Sequence, residues 1–117
     1  MEFSQIIQRQ IEADKRRGFP VEFASDAERL DQLIRDVVGL MGEVGEFTNM
    51  LKKVDLARTV KAYVGPGLSE ASANLREELA DAVIYIMRLT TILGGDLQQD
   101  VLTKMDQNDK RYRNLER

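Results

Sequence analysis

The amino-acid sequence predicts an all-α fold of four helices. Three observations carry that prediction. Apolar residues recur at three- and four-residue spacing over most of the chain, and strict alternation is scarce. The only two prolines, Pro20 and Pro66, stand in loop-like stretches beside glycine or aromatic residues. The 117 residues are expected to form one domain, 1–117, burying roughly two-thirds of the surface that the unfolded chain exposes. Charged residues make up 32% and hydrophobic residues 43%, the composition of an ordered globular protein rather than a disordered one. The core is modest at this length, which leaves room for oligomerisation.

A first helix is read from Phe3, Ile6, Ile7, Gln10 and Ile11, ending before Arg17-Gly18-Phe19-Pro20. Ser25-Asp26-Ala27-Glu28 has the form of a capping box, in which a hydroxyl and a carboxylate satisfy backbone N–H groups that lack helical partners. It opens the longest stripe: Leu30, Leu33, Ile34, Val37, Met41, Val44, Phe47, Leu51 and Val54. That stripe is expected to face the core. The run VGPGLSEAS, from Val64 to Ser72, breaks the pattern. A third helix follows through Leu75, Leu79, Val83, Ile86, Thr90 and Leu93, and Gly94-Gly95 stops it. Asp96 is the expected N-cap of a fourth helix carrying Leu97, Val101 and Met105.

Missing residue types narrow the chemistry. Without cysteine there is neither a disulfide nor a thiolate, and without histidine there is no His general base, no His/Cys zinc site and no Glu-x-x-His di-iron centre. A formal charge of −3 argues against a nucleic-acid partner, since phosphate backbones select basic surfaces. An anionic substrate would need a cation to bridge it to so acidic a chain. The stretch MEFSQIIQRQIEADKRR has no long apolar run, so neither a signal peptide nor a membrane span is expected, and a cytoplasmic location fits.

Acidic residues three apart on a helix share a face, offset by about 4.5 Å along the axis. With 20 acidic residues, some such pairs are accidental. Glu28/Asp31 lies among Arg29, Gln32 and Arg35, and Asp106/Asp109 among Gln107 and Lys110, both ordinary solvated faces. Glu43/Glu46 and Glu78/Asp81 differ. LMGEVGE and LREELAD both read Leu-x-x-Glu-aliphatic-small-acid, and the first acid of each pair falls at the edge of its apolar stripe. On the far side lie Gly39, Gly42 and Met50 in one helix, and Tyr85, Arg88 and Ile92 in the other. Those neighbours suggest helices covered on more than one side. If the two helices run antiparallel, four carboxylates converge, and they cannot all ionise without a counter-ion. An all-oxygen donor set selects a hard cation, Mg²⁺ or Mn²⁺. The glycines near the acids, Gly39, Gly42 and Gly45, would let a ligand or partner helix approach. The plainer alternative is a set of surface acids beside a dimer seam, paired with Lys52, Lys53, Arg76 or Arg88.

On the fourth helix, Lys104, Asn108 and Arg111 or Tyr112 follow at helical spacing and offer ammonium, amide, guanidinium and phenol donors to one anionic ligand. The alternative is a solvated C-terminal helix, which is the reading for Lys110, Arg113 and Arg117.

Three ordered segments, GEVGE, EELADAVIYI and KMDQNDKRY, make the chain resemble the MazG-like all-α nucleoside triphosphate pyrophosphohydrolases. The resemblance covers roughly residues 33 to 112. Its last two segments are most similar to the dCTP pyrophosphatase branch. The resemblance implies Mg²⁺-dependent cleavage between the α- and β-phosphates of a nucleoside triphosphate, serving nucleotide-pool house-cleaning. By position, Glu43, Glu46, Glu78 and Asp81 would hold the metal, while Lys104, Asn108, Arg111 and Tyr112 would bind substrate. Glu46 is the candidate general base, and nothing in the sequence separates it from Glu43. It also implies helices from several chains around each site, hence a homodimer or homotetramer. The dCTP branch places a Trp seven residues after the second Glu; this chain has Lys53 there, and no Trp or His anywhere. Phe19, Phe23, Phe47 and Tyr63 are the aromatics left to stack on a base. The alternatives are a phosphoribosyl-ATP pyrophosphatase or dUTPase-like relative, and, from another class, a non-catalytic helical dimerisation or binding module.

Overall fold

The computed structural model describes residues 1–117. All its regular structure is helical: α1 (Phe3–Arg16), α2 (Asp26–Thr59), α3 (Leu68–Ile92) and α4 (Leu97–Arg111), followed by a 3-10 turn over Arg113–Leu115. The expected all-α class, with four helices of which the second and third are the longest, is borne out.

Local chemistry sets the helix ends. The Glu2 N–H donates to Gln5 Oε1 at 2.7 Å at the start of α1. Ser25 Oγ accepts from the Glu28 N–H at 3.2 Å, while the Glu28 carboxylate accepts from Ala24 N–H at 3.4 Å, one residue upstream of the expected capping box. The third helix begins at Leu68, inside the stretch that the sequence reads as a break. There Gly67 N–H points at Glu70 Oε1, 3.4 Å away, and this reach-back supplies a partner for a donor at the first turn. Gly94 closes α3 with φ +79°, a conformation that costs a side-chain-bearing residue about 1 kcal/mol or more. Asp96 Oδ1 then accepts from the Gln99 N–H at 3.1 Å and opens α4, as expected.

The chain divides into two compact units. One comprises Met1–Arg29 with Met87–Arg117. In it the Ser4 N–H of α1 donates to Gln98 Oε1 of α4 at 2.9 Å, and Ile11, Val21, Met87 and Ile92 are buried. The other unit, Leu30–Ile86, holds most of α2 and α3 joined by residues 60–67. Its helices run antiparallel: Gly39 lies against Tyr85, while Glu43 and Glu46 approach Glu78, so numbering rises along one helix as it falls along the other. No helix is long and apolar enough to cross a membrane.

One expectation is corrected here. The α2 stripe does not form an internal core. Leu33, Phe47 and Val54 are half-buried, but Leu30, Ile34, Val37, Met41, Val44 and Leu51 are exposed. The covered side of α2 carries Asp36, Glu43, Met50 and Ala57, one every seventh residue. Towards α3 the helix presents Gly39, Glu43 and Glu46 rather than the middle of its apolar stripe. Periodicity reveals that an apolar face exists, but not which molecule covers it.

Candidate metal centre

The centre is built on the α2–α3 pair. Glu43 and Glu46 are one turn apart on α2, and Glu78 stands on α3; each offers a carboxylate oxygen, and these atoms all lie within 4.8 Å of one another. Of the four acids expected to converge, the structure brings these three together. Asp81, one turn along α3 from Glu78, is exposed and stands outside that group.

Glu43 Oε2 and Glu78 Oε2 are shut off from solvent and meet no hydrogen-bond donor. Nor does any Lys or Arg stand at ion-pair distance from the three glutamates, so the pairing with Lys52, Lys53 or Arg76 weighed above is absent. Carboxylates gathered in this way disfavour full ionisation. If Glu78 keeps its proton, it can donate to its neighbours. Its carboxyl is accordingly pushed up to about 8, first by the hydrogen bond to Glu43, then by that to Glu46, with desolvation and the two neighbouring charges adding to the shift. Orphaned carboxylate oxygens in an all-oxygen donor set fit a hard divalent cation, which would replace the shared proton.

Beside the cluster, the Tyr85 phenol lies over Gly39, one turn before Glu43; a Cβ at Gly39 would stand 2.6 Å from Tyr85 Oη. Gly42 and Gly45 face open space within this chain. Only Gly39 among the three admits a close neighbour here. Tyr85 is thus a site neighbour absent from the aromatics singled out in the sequence, though its place four residues after Asp81 puts it on the same helical side. Of those aromatics, Phe47 is half-buried on α2 and Tyr63 is exposed in the 60–67 connection. Phe19 and Phe23 belong to the other unit.

Lys104, Asn108, Arg111 and Tyr112 lie on α4 and its C-cap, also in the other unit. Asn108 is half-buried and the rest are exposed, with the Arg111 guanidinium 5.2 Å from the centroid of the Tyr112 ring. The sequence reading missed one feature of that unit. Arg88 donates to Asp14 Oδ2 at 2.9 Å and to the Pro20 carbonyl at 3.0 Å, and Gln10 donates to Asp14 Oδ1 at 2.9 Å. The buried pair fixes α1, its following loop and the end of α3.

No family model matches the chain, and no solved structure does. It is 35% identical over 99 residues to dCTP pyrophosphatase 1 of Mus musculus, covering 82% of this chain and 56% of that protein. It is 36% identical over 99 residues to the protein of that name from Bos taurus and 38% over 101 residues to that from Homo sapiens, with the same shares covered. The chain thus spans about half the length of the curated relatives it matches. The likeness to the dCTP pyrophosphatase branch, read from EELADAVIYI and KMDQNDKRY, extends over most of this chain.

Proposed function

We propose that the chain is a nucleoside triphosphate pyrophosphohydrolase of the MazG-like type, one functional domain that hydrolyses a (deoxy)nucleoside triphosphate to the monophosphate and pyrophosphate. The observation that carries this reading is the trio Glu43, Glu46 and Glu78 with two buried carboxylate oxygens lacking donors. The relatives supply the substrate class, and removal of unwanted nucleotides is the corresponding cellular role.

In this reading Glu43, Glu46, Glu78 and Asp81 hold Mg²⁺, with Mn²⁺ as a substitute, and Asp81 joins by turning its exposed side chain. The cation supplies charge neutralisation for the triphosphate and for the departing pyrophosphate. Glu78 gives up its proton as the site fills. Glu46, the exposed member of the trio, takes the proton of the attacking water. Lys104, Asn108, Arg111 and Tyr112 donate to phosphate or sugar oxygens. The exposed apolar residues of α2, with Leu79, Val83 and Ile86 on α3, support assembly into at least a homodimer.

The test is pyrophosphate release from a panel of canonical and modified nucleoside triphosphates, with and without Mg²⁺, against Glu46→Gln. Release that requires both cation and Glu46 supports the reading. Cation binding without turnover of any triphosphate, including phosphoribosyl-ATP and dUTP, would favour the non-catalytic helical module.

A further inference from the structure

The face of α2 that carries the carboxylates continues past them. At about 100° per residue, Gly39, Glu46, Lys53 and Ala57 fall within about 40° of one another, whereas Lys52 lies about 120° from Glu46. Tyr85 covers this face at Gly39. The 60–67 connection covers its other end, where a Cβ on Gly65 would stand 3.1 Å from the Lys53 carbonyl oxygen and 3.4 Å from the Ala57 Cβ. The same Cβ would stand 2.8 Å from Tyr63 Cε1, so the phenol ring lies near the backbone of Lys53. Lys53 itself is exposed, and its ammonium has neither an ion-pair partner nor a hydrogen bond. A free ammonium and an aromatic ring thus stand together two turns beyond Glu46.

We propose that Lys53 and Tyr63 select the substrate's nucleobase, favouring bases with a keto oxygen at pyrimidine C4 or purine C6 over those with an amino group there. The inference deepens the proposed hydrolase reading and rests on it. Side chains on one helix lean the same way, so the tips of Glu46 and Lys53 are about 10 Å apart along the axis. With a cation on the phosphates at the trio, that separation passes the terminal phosphate and falls where an extended nucleotide carries its base. The ring beside the ammonium decides between the two ends: every base has a π-face to stack, whereas a phosphate gains nothing from one. The choice among bases follows from the donor. An ammonium gives three hydrogen bonds and accepts none. Guanine O6 and thymine O4 accept, while adenine N6 and cytosine N4 donate. No carboxylate stands at this end of the face to receive an amino group. Asp55, the acid nearest Lys53 in sequence, lies about 180° from Glu46 on the wheel and holds Arg58.

The experiment is steady-state pyrophosphate release with Mg²⁺ on two matched pairs, dUTP with dCTP and dITP with dATP. In the parent protein the keto member of each pair should be favoured about tenfold in kcat/KM. Lys53→Met should bring each pair level, chiefly through the KM of the keto member. Lys53→Glu should reverse the order, because a carboxylate accepts from an amino group. Tyr63→Leu should raise KM about tenfold for all four nucleotides and leave both ratios where they are. Ratios within a pair cancel any change in cation binding or folding, and circular dichroism with melting in Mg²⁺ reports those separately. Turnover with no preference within the pairs, or with parental ratios in both Lys53 variants, overturns the base selection and leaves the hydrolase reading standing. Unchanged KM in Tyr63→Leu overturns the stacking. Absence of turnover of every triphosphate by the parent overturns both the selection and the hydrolase reading.

Discussion

The phenol of Tyr85 rests directly on the backbone of Gly39, one turn before Glu43, at the point where α2 and α3 approach beside the carboxylates. An added methyl at Gly39 would stand 2.6 Å from Tyr85 Oη and must displace the ring. Two effects oppose each other in Gly39→Ala. Helix propensity favours alanine by about 1 kcal/mol, and overpacking costs about 1–3 kcal/mol. The expected net is a loss of up to about 2 kcal/mol in chemical unfolding, together with weaker cation binding as α3 is pushed away. Gly42→Ala, which meets nothing within 4 Å, should instead gain up to about 1 kcal/mol. Stabilisation by both substitutions would show that the Tyr85 contact is without consequence.

The pH dependence of the cation-free protein follows from Glu78. Its folded carboxyl is pushed up to about 8 from an ordinary 4.5, so between those values the native state holds a proton that the unfolded chain has released. This contribution to stability is fully present below the unfolded value and falls as pH rises towards the folded one. The melting temperature in EDTA should therefore decline from about pH 5 to about pH 8 through this group, and the slope should vanish in Glu78→Gln. Glu43→Gln should raise the melting temperature at neutral pH, because an amide can donate where a carboxylate oxygen now finds no donor. Cation affinity should move the opposite way, rising with pH as the competing proton leaves. A pH-independent melting temperature in the parent protein would refute the shared proton.

Much of the fold and part of the site were legible in the sequence, for identifiable reasons. Helix ends were readable where one side chain does the capping, as at Asp96, or where φ is positive, as at Gly94. The start of α3 was not, because the Glu70 side chain reaches back to the Gly67 N–H within a stretch that composition alone reads as a loop. Glu43, Glu46 and Glu78 were legible because two helices repeat one local pattern. The distribution of the apolar stripe was not, since a helical wheel is blind to what packs on each side. Asp14 and Arg88 illustrate the deeper limit. They are 74 positions apart, and although Arg88 reads as a residue on a covered face, nothing in the sequence points to Asp14 as its partner.

That ion pair is the next test. The Arg88 and Asp14 side chains are only 7% and 3% exposed, and the guanidinium also holds the Pro20 carbonyl. Removing one partner from a buried pair costs about 3–5 kcal/mol. Asp14→Ala should lose that much in urea unfolding, and Arg88→Met a similar amount. Solvated pairs such as Lys15–Glu22 should change stability by less than about 1 kcal/mol when broken. Equal effects at the two places would mean that the buried pair is hydrated in solution.

The last prediction separates holding the cation from moving the proton. Glu43 and Glu78 each carry a buried oxygen without a donor, whereas Glu46 is exposed. Under Mg²⁺ titration the parent protein should be stabilised, by about 2.7 kcal/mol once the cation is a hundredfold above its dissociation constant. Glu43→Gln and Glu78→Gln should abolish that gain, because each removes a buried carboxylate oxygen from the preformed donor set. Asp81→Asn should weaken it without abolishing it, since Asp81 stands outside the preformed trio. Glu46→Gln should keep a measurable share of the Mg²⁺ stabilisation yet lose about 10²- to 10⁴-fold in pyrophosphate release, the range expected for losing a general base. If Glu46→Gln loses cation binding and turnover in equal proportion, Glu46 is a ligand alone and the proton goes elsewhere. If it loses neither, the carboxylate trio is not the reaction centre.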